Sequence, residues 1–215
     1  MKTNRLLSIL FSFSKIEHGN MSINWGGKKE VTKNIENFCK KIEVNLRNRA
    51  HIKPEHGDRV LYLNKRNIKG IRNKKIKYDG LITICEDITL TLASADCYPV
   101  ALTDKKGSFA FLLHAGREGI KLKIVAKMID MIFRRLKISP QNIVLLIGPG
   151  IKPCCYDIDI VKLIKRQARS RGLLYENIVA MDTTCTCCGK NGDDGEHIYF
   201  SHHRSTKEVN EEEGR

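Results

Sequence analysis

Three residues set far apart in the chain carry side chains that together could do metal chemistry: His56 in PEHGDRV, Cys97 in ASADCYPV and His114 in LLHAGREG. The intervals are 41 residues from His56 to Cys97 and 17 from Cys97 to His114, too long for the local ligand pairs of a zinc finger. If the three meet, the fold must bring them together. Two imidazoles and a thiolate suit Zn²⁺, and three protein ligands leave a fourth position open, as in a catalytic rather than a structural zinc site. A water held there loses a proton near neutral pH and becomes a nucleophile. Asp96, next to Cys97, could orient a ligand or move a proton. Asp96, Cys97 and His114 are therefore the candidate catalytic residues. On the residues alone two other readings stay open. Cys97 could be a thiol nucleophile with a histidine as its base, or the three could be a small buried residue and two ordinary strand-end histidines.

Each of the three stands at the mouth of a strand-like run, where α/β and α+β proteins commonly assemble their sites. "VLYLN", the β-branched stretches of DGLITICEDITLTLASADCYPVALTD, SFAFLLHAG and IVLLIGPG read as strands. Residues 32–46 place Ile35, Phe38, Cys39 and Ile42 at helical spacing, and residues 120–137 do the same with Ile120, Ile124, Met128, Met131, Ile132 and Leu136. YDIDIVKLIKRQAR predicts a further helix, HIYFSHHRS a late strand, and residues 205–215 a polar tail. KRNIKGIRNKKIK packs seven basic residues into thirteen and reads as an exposed loop. Strands and helices mix without strict alternation, so the expected class is α+β: one domain over residues 1–215, with mixed β-sheet layers flanked by helices.

The totals narrow the function classes. A chain of 215 residues with 41% hydrophobic content can bury a real core. No apolar run reaches the ~18–20 residues of a membrane span, and the start does not read as a cleaved signal. Eight cysteines without a secretory signal point to reduced thiols or metal ligands and a cytoplasmic setting. The net charge of +14 attracts anions. With no recognition motif beside it, the charge is read first as a solubilising surface and only second as a nucleic-acid contact. In the crowded CTCC segment, Cys185, Cys187 and Cys188 with His197, His202 or His203 are read as lacking a standard ligand pair, so no second metal centre is expected. Cys154 and Cys155 are read as reduced core or site-wall thiols.

The same segments carry a resemblance. ASADCYPV and LLHAGREG resemble the Thr-Ala-Asp-Cys-x-Pro-Val and His-Ala-Gly-Trp-Arg-Gly segments of the multicopper polyphenol oxidase, or laccase-domain, family, now regarded as purine nucleoside phosphorylases with several activities on adenosine. SFSKIEHGNMSINWG, IGPGIKPCCYDI and the CTCC, YFSHHRS and EGR segments are similar to further blocks of that family in the same order, so the likeness runs from about Phe11 to Arg215. The resemblance implies a zinc-dependent enzyme that takes a purine nucleoside and phosphate, with copper the less expected metal. It implies His56, Cys97 and His114 as metal ligands; Lys15, Asn24, Arg117 and Arg204 are the candidate contacts to substrate. Its reactions would be adenosine phosphorolysis, deamination to inosine, or both. This chain departs from the family at Arg117-Glu118, which stands where the family has Trp-Arg, so a carboxylate occupies the arginine position. PEHG lacks the usual Gln-Val, and His202-His203 replace Tyr-Arg ahead of Arg204.

Overall fold

A computed structural model describes residues 4–6, 9–22, 25–71, 75–86, 88–192 and 195–212. Strands β1 (Asn4–Leu6) and β2 (Ile9–Phe11) pair antiparallel, and α1 (Lys28–Lys41) follows. Next come β3 (Arg49–Ile52), β4 (Val60–Leu63), α2 (Ile68–Ile71), β5 (Lys75–Ile76), β6 (Gly80–Thr83), β7 (Thr89–Leu92), β8 (Tyr98–Asp104) and β9 (Ala110–Ala115). The chain then forms α3 (Arg117–Lys121), α4 (Ile124–Leu136), β10 (Ile143–Ile147), α5 (Ile160–Arg169), β11 (Ile178–Ala180) and α6 (His202–Glu212). The class is α+β, with a six-stranded mixed sheet in the order β11-β10-β8-β9-β6-β4 and a parallel three-stranded sheet β5-β3-β7.

The six-stranded sheet is covered on both faces, which is why its strands read as nearly continuous apolar runs. Alternate side chains divide between two cores, as the two-residue period of a strand requires. Tyr98, Val100 and Leu102 of β8, Phe111 and Leu113 of β9, and Ile143, Leu145 and Ile147 of β10 pack with α4 and α5. Leu112, Val144 and Leu146 point the other way, toward Ala50 and Ile52 of β3 and Ile76 of β5. Each fully buried aliphatic side chain contributes roughly 1.5–3 kcal/mol.

The β8–β9 turn sets the register on which the site depends. Asp104 accepts the N–H groups of Lys106 and Ser108 (3.1 and 2.8 Å) and the Ser108 hydroxyl (2.6 Å), while the Thr103 hydroxyl donates to the Phe109 carbonyl (2.7 Å). The strands then pair with Pro99 opposite His114 and Tyr98 opposite Ala115. Cys97, one residue before β8, therefore shares a face with His114. A slip of one residue would turn His114 to the opposite face.

Four expectations are corrected. The single helix over 120–137 is two helices, broken where Lys123 adopts φ 60°. The break survives because Gln167 of α5 satisfies the backbone there, donating to the Ile120 carbonyl (2.8 Å) and accepting the Val125 N–H (3.2 Å). The basic stretch after Asn64 holds the short α2 and β5, with Ile68 and Ile76 buried, though residues 72–74 lie outside the described residues. The late strand over HIYFSHHRS is replaced by an isolated bridge from His197 to Lys190 and by the start of α6 at His202, where Ser201 accepts the Arg204 N–H (3.1 Å) as an N-cap does. The polar tail is helical as far as Glu212.

Candidate metal centre

His56 lies in the loop between β3 and β4, in the left-handed region at φ 60°. That geometry is uncommon for a side chain with Cβ and persists where surrounding contacts over-determine it. Here the contacts come from Asp79, the buried residue just before β6. Its carboxylate accepts the N–H of Glu55 (3.1 Å) and of Gly57 (3.0 Å), one on each side of His56. The β6–β9 register places Asp79 beside His114, whose N–H donates to the Asp79 carbonyl at 2.8 Å. The same carboxylate faces His114 Nδ1 at 3.5 Å. That distance is long for a hydrogen bond, so the buried Nδ1 has no close acceptor but looks directly at a negative charge.

Cys97 completes the group. One ligand atom from each of His56, Cys97 and His114 can be chosen so that all lie within 4.8 Å of one another, and the two imidazole rings stand perpendicular with centroids 4.9 Å apart. The donors fit one metal ion: His114 keeps one nitrogen toward Asp79 and turns the other to the group, the carboxylate-histidine arrangement that orients metal-bound imidazoles. Gly116 leaves the room. A Cβ at this position would sit 2.8 Å from Cys97 Sγ, 3.4 Å from the His114 ring and 3.6 Å from the His56 ring.

The electrostatics favour a cation. Burial alone would raise the Asp79 carboxyl, yet the His114 ring and the Gly57 and Glu55 N–H donors outweigh it and hold the group below 3.8. Burial likewise disfavours a proton on His114, but Asp79 and Cys97 win and lift it to about 9. His56 is pushed down by burial and by the neighbouring His114, against a weaker pull from Asp79. A proton and a metal would compete for the same imidazole and thiol lone pairs.

The remaining sequence candidates fall elsewhere. Asp96 adopts φ 80°, and both its oxygens are engaged: Oδ1 accepts the Thr186 hydroxyl and Oδ2 the His203 N–H, each at 2.8 Å. It ties the entrance of β8 to the start of α6. Arg117 opens α3 and is held outward, Nε donating to the Tyr156 hydroxyl (2.7 Å) and an Nη to Asp157 (2.6 Å). Glu118 pairs with Lys121 at 2.7 Å on the exposed side of α3. Arg204 spends its guanidinium on the carbonyls of Thr186, Cys187 and Tyr199. Lys15 stands near Asp182, whose carboxyl it helps to hold low. Asn24 lies outside the described residues. A cavity of about 1090 Å³ runs between β2, α1 and the large sheet; Asp96 and Thr186 line it, and none of the three ligand residues does. Asp79 was missed from sequence because an Asp-Gly pair ahead of a strand reads as an ordinary turn; only the strand register shows that it faces His114.

Residues 11–160 match the family model described as multi-copper polyphenol oxidoreductase laccase. The chain belongs to this family. A relative from Clostridium acetobutylicum, named purine nucleoside phosphorylase, is 28% identical over 221 residues, covering 91% of this chain and 86% of its own. YlmD of Geobacillus stearothermophilus, also named purine nucleoside phosphorylase, is 37% identical over 81 residues, covering 38% of this chain and 30% of its own. The crystal structure of YlmD from that organism superposes with a TM-score of 0.78 at 23% identity, over 87% of this chain and 80% of that one. The Bacillus licheniformis protein YfiH gives 0.77 at 23%, with the same coverage. At this identity the two structures establish a shared fold.

Proposed function

We propose that this protein is a metal-dependent purine nucleoside enzyme that binds Zn²⁺ through His56, Cys97 and His114 and acts on adenosine. The reactions proposed are phosphorolysis to adenine and ribose 1-phosphate, deamination to inosine, or both. The observation that carries the reading is the meeting of two imidazoles and a thiol from three separate segments, backed by buried Asp79 and left clear by Gly116. The names of the relatives supply the substrate class. The same donor set also admits copper, but multicopper chemistry needs several imidazole-rich sets. Of the two metal-capable groups among the described residues, only this one contains histidine.

When bound, the metal supplies Lewis acidity and lowers the pKa of a water in its open position. The protein does the rest by placement. Asp79 fixes the His114 ring and, through the Glu55 and Gly57 N–H groups, the His56 loop. Arg117, which follows Gly116, is the cation we assign to phosphate or ribose, a role in which its guanidinium would have to exchange Tyr156 and Asp157, the partners that hold it outward, for the anion. Glu118 sits on the outer side of α3 with its charge offset by Lys121, which reduces its repulsion of an anion held by Arg117.

The test is incubation of zinc-loaded protein with adenosine, with and without phosphate, followed by chromatographic separation of the products. Adenine formed only with phosphate establishes phosphorolysis, and inosine in either condition establishes deamination. Cys97→Ala is expected to lose both metal and turnover. Full turnover in that variant, or no product from intact metal-loaded protein, would overturn the proposal.

A further inference from the structure

A second group of soft ligands lies outside the centre described above. Cys154 and Cys155 follow β10, and Cys185 and Cys188 precede α6, yet one sulfur from each lies within 4.8 Å of the other three. The reading of CTCC as lacking a standard ligand pair is corrected here. Cys185 and Cys188 are three apart, a Cys-x-x-Cys pair that the intervening Cys187 disguises. The partner pair comes from a segment 30 residues upstream, so only the fold could show that the set is complete.

We propose that Cys154, Cys155, Cys185 and Cys188 form a second, structural Zn²⁺ site. Four thiolates and no open position are the composition of a closed tetrahedral zinc centre, with Zn–S about 2.3 Å. Such a tetrahedron has edges of about 3.8 Å, and the Cys154 and Cys188 sulfurs already stand 3.5 Å apart. A disulfide would bring that pair to about 2.05 Å, and all eight cysteines are free.

The backbone is arranged for it. Gly189 directly follows Cys188, and a Cβ there would lie 2.5 Å from the Cys185 carbonyl oxygen, while its N–H donates to that same oxygen at 2.9 Å. Only glycine permits so tight a turn, and the turn carries both sulfurs of the Cys-x-x-Cys pair to one side. The Lys152 N–H points at Cys185 Sγ (3.4 Å), a donor that disperses the charge of a thiolate. Cys154 and Cys188 are exposed, which gives an ion its way in, whereas Cys185 is buried against Ile151 and Tyr156. Each thiol surrenders its proton to solvent as the metal binds.

The consequence reaches the first centre. The ion would fasten the loop that carries Tyr156, which holds Arg117, to the turn that carries Thr186, which holds Asp96. It is a clamp on the walls rather than a participant in the reaction, and it does not depend on what that reaction is.

The full chain, purified under reductant and stripped with chelator, is titrated with Co²⁺ and then with Zn²⁺. Wild type is expected to bind two equivalents, one with the strong sulfur-to-cobalt charge-transfer absorption of four thiolates. Cys97→Ala should lose one equivalent and keep that absorption. Cys154→Ser with Cys188→Ser, both at exposed positions, should lose the absorption and keep one equivalent at the histidine-bearing centre. Zn²⁺ should raise the melting temperature of Cys97→Ala and should no longer do so when Cys154→Ser and Cys188→Ser are added to that variant. Wild type without the four-thiolate absorption, such absorption that vanishes with Cys97→Ala, or recovery of these cysteines as disulfides from reduced preparations would each overturn the proposal.

Discussion

Asp79 does two things at once: it braces the loop that presents His56, and it polarises His114. Asp79→Asn keeps the shape but removes the charge and places an amide against the N–H donors. Metal affinity is expected to fall about 10- to 100-fold, measured by competition with a chelating dye, and the metal-free protein should also lose about 1–3 kcal/mol of stability, because one of the buried N–H donors of Glu55 and Gly57 loses its acceptor. An unchanged affinity would mean that His114 needs no carboxylate behind it. Gly116→Ala tests space instead of charge. Its φ of −101° suits alanine, so the backbone gains no strain, but the new methyl would press on Cys97 Sγ while only touching the two rings. A loss of about 1–3 kcal/mol in metal binding is expected from such overpacking, read by the same competition. At this scale the chain was partly legible. Residue types nominated His56, Cys97 and His114 but left other readings open among seven histidines and eight cysteines, and the family resemblance is what named these three as ligands. They could not show Asp79, whose importance comes from standing opposite His114 across two strands, nor the pairing of Cys185 with Cys188 and two cysteines from another loop.

The elements were legible wherever local pattern and tertiary packing agree. The β9 and β10 runs lie where their period places them, and α1 and α5 overlap their expected stretches with shifted ends: α1 spans Lys28–Lys41 rather than 32–46, and α5 starts at Ile160 rather than at Tyr156. Pattern failed where a distant residue decides. Ile120 and Ile124 keep helical spacing across a break that only Gln167, on another helix, makes tolerable. The segment after Ser201 has no apolar stripe, and α6 begins there because Ser201 takes the Arg204 N–H and Asp96, over a hundred residues earlier, takes the His203 N–H. Asp96 therefore matters to α6 as a helix anchor. Asp96→Ala removes both acceptors and leaves the buried Thr186 hydroxyl unpaired; about 1–3 kcal/mol of stability should be lost in denaturant unfolding. Asp96→Asn, which retains an acceptor, should cost less than about 1 kcal/mol, the scale of a charge at a helix N-terminus. If turnover collapses in Asp96→Asn while stability holds, Asp96 acts on the substrate and not only on the fold.

The mixed α+β class followed from the irregular sequence of strands and helices, whereas the layering did not. Nothing local says that β3, β5 and β7 leave the main sheet to cover its second face. The charge of the whole molecule was legible from composition and has a consequence for its behaviour in acid. Asp104 and Asp182 have folded-state pKa values below 3.8: burial opposes this, but Ser108 and the turn N–H groups outweigh it at Asp104, and Thr184 and Tyr199 do so at Asp182. A carboxylate depressed in the fold binds protons less readily there than in the unfolded chain. Its stabilising share is therefore complete above the unfolded pKa and is lost as pH falls through the folded one. The chain already carries +14, and neutralising its 24 acidic residues leaves 38 basic ones unopposed. Local proton uptake and global repulsion thus act in the same direction, so stability should drop steeply below about pH 4. Added salt should recover part of the loss by screening the repulsive component, and it should not recover the part owed to Asp104. Asp104→Asn is accordingly expected to be less stable than wild type at pH 7 and to converge on it near pH 2, in urea unfolding followed by circular dichroism. Parallel curves with a constant gap at every pH would mean that the β8–β9 turn draws nothing from the ionised form of Asp104.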